Sequence, residues 1–235
     1  MSGLKRCLRV LALVLSVSVQ LSCGDKSAEK TPPGHNSFTF FGVGAQTVFS
    51  DPLREDLEEI LGPGGISSRN TINLEVNYSG FLSEHFPALA VINQRLNSTA
   101  GIRVEHDTTR LTYRYLRTRE TPFDYVELLF SDATGRPLRT TIRSAREGPE
   151  IIDILGENYG PPKTLDWGGD INRSLVWERE GDVLIFSVQT NQLDAPVYRI
   201  DIYYVDELEA LVEREERQRL KRNQQKQKAM DKAFS

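Results

Sequence analysis

Apolar residues along this chain switch repeatedly between helical and alternating spacing, and each switch marks a new element. Leu53, Leu57, Ile60 and Leu61 form one stripe after Asp51 and Pro52, and Gly62 supplies a stop, so the spacing predicts a helix over residues 52–61. Ile72, Leu74, Val76 and Tyr78 then alternate with Asn73, Glu75 and Asn77, the period of a half-buried strand. A second helix is predicted from Pro87, burying Leu89, Ile92 and Leu96. Leu111, Tyr113 and Tyr115 alternate with Thr112 and Arg114, while residues 123–130, 131–135 and 137–143 read as strand, turn and strand of an antiparallel meander.

The pattern then repeats in outline. Gly148 and Pro149 open a helix carrying Ile151, Ile152, Leu155 and Tyr159, ended by Gly160, Pro161 and Pro162. Strands are predicted at 174–178, 183–188 and 197–205, the first two joined by a turn at Gly181 that is too short for a parallel crossover. Asp206 and Glu209 make a capping-box-like pair at the start of a last helix, about 207–230, whose apolar stripe of Leu208, Leu211 and Val212 gives way to an almost wholly polar run. This order predicts an α+β fold, with antiparallel sheet packed against helices and a long charged C-terminal helix. Helix ends at Ile60-Leu61-Gly62 and Ile154-Leu155-Gly156 hint at two related halves.

Composition sets the class and then adds an asymmetry. Of 235 residues, 39% are hydrophobic and 26% charged, the balance of a globular chain rather than a polytopic membrane protein or a disordered one. The net charge of −4 comprises +3 in residues 1–22, −13 in residues 23–216 and +6 in the last nineteen residues. An acidic body thus ends in a basic tail. The two cysteines, Cys7 and Cys23, both lie at the N-terminus, so the body has no cysteine for a disulfide or zinc site.

The N-terminal residues explain that placement. Lys5, Arg6 and Arg9 precede an apolar run at 10–19, which as a helix rises only about 15 Å and is too short for a comfortable membrane span. A secretory signal is predicted over residues 1–22. Val19-Gln20-Leu21-Ser22-Cys23 resembles the bacterial lipoprotein signal, with small Ser22 before the cysteine; Gln20 stands where that family usually has leucine. The resemblance implies lipidation of Cys23, with thioether-linked diacylglycerol and a palmitate-type acyl chain anchoring a periplasmic body to a cell-envelope membrane. Two or more chains hold stably where one does not. Gly24, where an inner-membrane lipoprotein often has aspartate, points to the outer membrane. Residues 24–37 lack any large apolar residue and read as a flexible tether. The organisation expected is signal peptide 1–22, lipidated cysteine and tether 23–37, α+β region 38–145, helix plus three-stranded region 146–205 and charged helix 206–235.

The second half carries a second resemblance. The Leu155-Gly156 helix end, the Tyr159-Gly160-Pro161 turn, Trp167, Trp177 and three antiparallel strands resemble the small lipoprotein subunit of the outer-membrane β-barrel assembly machinery, over residues 149–205. Its motifs are common helix-to-strand punctuation, so it implies a fold rather than the assembly role.

Candidate chemistry is sparse. Glu105-His106-Asp107 is the densest cluster, but neighbours on a strand point to opposite faces, so a polar turn is the expected reading. His35, His85 and His106 lack metal-ligand spacing, Gly42-Val43-Gly44 lacks the rest of a phosphate loop, and Ser79 lacks the flanking glycines of a nucleophile elbow. Arg110, Arg114, Arg117 and Arg119 form a basic cluster expected on a wet strand face. No catalytic, cofactor-binding or metal site and no nucleic-acid partner are expected. The chain reads as a lipid-anchored, non-catalytic interaction or scaffold protein with a protein partner in the envelope. A ligand- or polymer-binding module using Tyr113, Tyr115, Trp167 and Trp177 is the alternative, and a hydrolase using Glu105, His106 or Asp107 stands third.

Overall fold

A computed structural model describes residues 37–97, 104–114, 121–144, 148–167, 172–190 and 196–234. Cys23, the tether residues 24–36 (His35 among them), Tyr115, Arg117 and Arg119 lie outside the described residues.

The first helix, α1 (Asp51–Leu61), is capped by Ser50 rather than Asp51: its hydroxyl accepts from the Leu53 amide, and Pro52 sits in the first turn where no amide is needed. It ends at Gly62, whose φ of +83° favours glycine. Then come β1 (Gly65–Asn70), the short α2 (Phe81–His85), α3 (Pro87–Leu96), β2 (His106–Arg114), β3 (Tyr125–Ser131) and β4 (Pro137–Ser144). The second half follows as α4 (Gly148–Tyr159), β5 (Lys163–Asp166), β6 (Arg173–Arg179), β7 (Asp182–Thr190), β8 (Pro196–Tyr203) and α5 (Val205–Ala233). The fold is α+β, as the spacing predicted. The second half carries four strands, not three: β5 is an exposed edge strand with no apolar alternation to announce it.

All eight strands join one antiparallel sheet in the order β1-β2-β3-β4-β8-β7-β6-β5. Each half therefore supplies an opening helix and four strands that are neighbours in the sheet, with α2 and α3 inserted between β1 and β2 of the first, and the halves meet through their last strands, with Ile142 paired to Ile200 near the centre. The helix ends correspond at Gly62-Pro63 and Gly160-Pro161, both glycines having φ of +83°, rather than at the two Ile-Leu-Gly triplets, since α4 runs on to Tyr159.

Strand alternation sends two cores to the two faces of the sheet. On one face, Leu111, Val126, Leu128, Ile142, Phe186 and Ile200 pack with Leu57 and Leu61 of α1 and with Ile151, Ile152 and Leu155 of α4. On the other, Leu129, Leu138, Val176, Ile185 and Tyr203 pack with α2, α3 and Leu208, Leu211 and Val212 of α5. The helices leave part of this second face uncovered, at Arg114 and Arg143.

The segment 71–78 is not a strand of the sheet, although Ile72, Leu74 and Val76 are buried in the alternation expected of one. It crosses the α5 face, and side chains satisfy its backbone instead of a neighbouring strand. Arg110 donates to the Thr71 carbonyl, Asn97 to Ile72, Arg139 to Asn73 and the Tyr203 hydroxyl to Leu74, while the Leu74 amide donates to Asn93. Period-two burial reports an extended chain on a surface, not its ladder partners.

The cap of the last helix lies two residues before Asp206, the residue expected to cap it. Tyr204 is the N-cap and offers no side-chain cap; instead the Val205 amide donates to Asp182 Oδ1 at 3.3 Å, a cap supplied by the first residue of β7.

Candidate functional site

Directly paired residues on antiparallel strands share a face, so register alone assembles the site. One row across the α5 face reads Arg114, Tyr125, Arg143, Arg199, Ser187 and Ser174, taken from β2, β3, β4, β8, β7 and β6. The next row inward reads Thr112, Glu127, Thr141, Asp201 and Ile185, and the third carries Arg110 and Arg139 on either side of Leu129. Five arginines thus share the α5 face with two carboxylates; Arg114 and Arg143 are exposed, whereas Arg139, Glu127 and Asp201 are buried.

Both carboxylates are consumed internally. Glu127 is buried and accepts from Arg139 Nη2 at 2.7 Å and from the Tyr125 hydroxyl at 2.8 Å, with Arg110 Nε at 3.6 Å. Burial alone would raise its pKa, but the charge of Arg139, the Tyr125 hydroxyl and Arg110 outweigh it and hold the carboxyl below the usual range. Asp201, 1% exposed, accepts a fork from Arg199 at 2.6 and 3.0 Å and the Thr141 hydroxyl at 2.7 Å. Burial works against the guanidinium charges of Arg139 and Arg199, yet the carboxylates facing them keep both pKa values raised.

Arg114 and Arg143 are different. Their guanidinium carbons lie 5.8 and 5.3 Å from the centroid of the Tyr125 ring, and both side chains are exposed. Among the described residues no ion pair joins either to a carboxylate. Arg143 stands directly across from Arg199, a like-charge pairing that sheets ordinarily avoid. An open cleft of about 330 Å³ begins at Arg114 and is lined by Gly65, Ser67 and Thr112. The exposed cations can hold an anion, while the hydroxyls of Tyr125 and Thr141 are bonded to the buried carboxylates Glu127 and Asp201.

The root of α5 is a second polar assembly. Glu215 Oε2 lies 2.8 Å from Nδ1 of His106, which is 1% exposed, and Arg95 forks onto Glu216 at 3.0 and 2.6 Å. Arg214 reaches the Ser131 hydroxyl at 3.4 Å. The helix is 29 residues long, about 43 Å, and every residue from Arg217 to Ala233 is exposed, so only its first half is held by the body. Replacing Glu216 by alanine should therefore leave the body's unfolding unchanged within about 1 kcal/mol, since the pair with Arg95 is part-exposed. Hydrogen exchange should nevertheless speed up from residue 213 onward; unchanged protection there would show that the fork does not hold the helix.

Other sequence candidates fall as follows. His106 opens β2 rather than sitting in a polar turn, and its side chain points opposite to the exposed Glu105 and Asp107, with Arg69 3.8 Å from Glu105. The three do not converge. Tyr113, fully buried with its hydroxyl pushed up to about 12 by burial, and Trp177, whose indole donates to the Gly160 carbonyl, belong to the core under α1 and α4 and cannot line a binding surface. Trp167 is half-buried and donates to Ser174. The ring at the open face is Tyr125, which the sequence reading passed over. Phe41 and Gly42 form a tight turn closed by the Phe40–Val43 bridge, and Ser79 precedes the α2 N-cap Gly80. His85 contacts the Tyr78 hydroxyl at 3.4 Å and Glu84 at 3.7 Å. Among the described residues, no group of three His, Cys, Asp or Glu could hold a metal ion, and no helix is long and apolar enough to cross a membrane.

No protein-family model, no curated protein and no solved structure matches this chain.

Proposed function

We propose that this protein is a non-catalytic interaction protein of a bacterial cell envelope, tethered by lipid on Cys23, whose periplasmic body docks a partner protein on the open face of its sheet. The observation that carries the reading is the exposed cation pair Arg114 and Arg143, set in a row with the part-buried Tyr125 and Arg199 on a body that is otherwise strongly acidic. Internal ion pairs behind the row fix its backbone and leave Arg114 and Arg143 for a partner. Preorganised cations set orientation and on-rate in protein association, the properties a scaffold needs. The charged outer half of α5 offers a further contact surface beyond the body.

Two measurements test this reading. Metabolic palmitate should label the wild-type chain and leave Cys23→Ala unlabelled; an unlabelled wild type would remove the anchor. Crosslinking in cells followed by affinity capture should recover discrete envelope proteins with the native chain. A chain ending at Glu216 separates the role of the basic tail, since capture that survives the truncation belongs to the body.

A further inference from the structure

The open face repeats one recognition unit three times and completes it twice. In the first, the Glu127 carboxylate sits between the guanidinium of Arg139 and the hydroxyl of Tyr125, with Arg110 alongside. In the second, the Asp201 carboxylate sits between the Arg199 fork and the hydroxyl of Thr141. The third consists of Arg114 and Arg143 over the Tyr125 ring, and among the described residues it holds the cations without a carboxylate.

We infer that Arg114 and Arg143 bind a side-chain carboxylate of an acidic peptide segment belonging to the partner protein, with Arg199 and the Tyr125 ring forming the floor. This rests on the interaction reading above and names the chemistry that reading leaves open. Three observations choose a peptide over other anions. The uncommitted charge is narrow: Arg114 and Arg143 lie two strands apart, about 10 Å, Arg199 beside them is already forked onto Asp201, and the row turns neutral and buried at Ser187 and Ser174, too little for an extended polyanion. The segment 71–78 lies across the same face, held there by Arg110, Arg139 and Tyr203, so a flat bilayer would meet that chain before reaching the row. The guanidinium fork also matches a carboxylate in plane, which this face already uses at Asp201. A carboxylate there also offsets the charge of Arg143, which stands across from the already committed Arg199.

The test is fluorescence anisotropy of a dye-labelled hexaglutamate peptide titrated with the purified full chain in detergent, in parallel with Arg114→Gln/Arg143→Gln. Both positions are exposed, so the double variant should keep the wild-type thermal midpoint. Saturable binding that weakens at least tenfold in the double variant, and that inorganic phosphate or phosphatidylglycerol vesicles displace no better than chloride at equal ionic strength, is the expected result. Absence of saturable binding, equal binding by the double variant, or displacement by phosphate or vesicles would each overturn the assignment. In-cell crosslinking with the same variant separates this failure from that of the interaction reading. Partners captured equally by both chains would remove the site and keep the interaction; no partners with either chain would remove the interaction itself.

Discussion

Glu127→Ala is expected to cost about 3–5 kcal/mol of unfolding free energy, read as a fall in the denaturant midpoint at unchanged slope. The reason is Arg139. Its guanidinium is almost wholly buried beneath segment 71–78, where it donates one bond to the Asn73 carbonyl at 2.6 Å and one to Glu127 at 2.7 Å. Removing the carboxylate leaves that charge inside the protein opposite Leu129, with Asp201 already committed to Arg199 and Thr141. The loss is not confined to one pair, because Tyr125 loses its acceptor and Arg110 its nearby counter-charge. A fall of less than 1 kcal/mol would mean that water or a rearranged Asp201 compensates Arg139. Acidity supplies an independent check. Because the folded pKa of Glu127 lies below the ordinary carboxylate value, its contribution is complete above the unfolded value and is lost as pH falls through the folded one. The wild type should therefore lose stability in acid faster than the variant, and the gap between them should close. Asp182 acts in the opposite sense. Burial outweighs its bonds from Ser37 and Val205 and raises its pKa, with Asp206 and Glu180 adding to the rise, so protonation in acid restores stability in both proteins alike.

The elements whose side chains meet a core were legible from the sequence, and those that meet only solvent or backbone were not. Helices α1, α3 and α4 and strands β3, β4, β6 and β7 carry apolar spacing because each buries one or both faces. Strands β1 (Gly-Ile-Ser-Ser-Arg-Asn) and β5 (Lys-Thr-Leu-Asp) are exposed edges, specified by their neighbours' hydrogen bonds rather than by their own residues. Segment 71–78 shows the converse, full alternation without pairing. The candidate site was legible only in fragments. Arg110 and Arg114 stood out as a basic cluster on a wet face, and the spacing of Arg139, Thr141 and Arg143, like that of Arg199 and Asp201, marks one polar side of each strand. What joins them is the pairing of β4 with β8, about sixty residues apart, and local periodicity carries no trace of such a pairing. Tyr125 was missed for a related reason: its role comes from the arginines on either side, which belong to other strands.

The same central pairing makes the two halves interdependent. A fragment comprising residues 37–145 should fail to fold alone, showing no cooperative thermal transition and no dispersed amide spectrum. Cutting there strips β4 of its partner along six consecutive positions, Arg139 to Ser144, and turns the middle of the sheet into an open edge. It also divides both cores. Leu128 and Ile142 lose Phe186, Ile200 and Ile202 from one face, while Leu138 and the helices α2 and α3 lose Ile185, Tyr203 and the docked turns of α5 from the other. The buried arginine network suffers as well, since Thr141 loses Asp201 and the Leu74 carbonyl loses the Tyr203 hydroxyl. Three or more strands need a hydrophobic face or a packed helix to stand alone, and here each face loses a large part of the apolar layer that its remaining residues pack against. Mixing the fragment with residues 146–235 should restore dispersion, because the two complementary β4 and β8 edges pair without covalent connection. A cooperative transition in the 37–145 fragment alone, at a midpoint within a few degrees of the full chain, would show that each half carries its own core and that the β4–β8 junction is a docking of two finished domains.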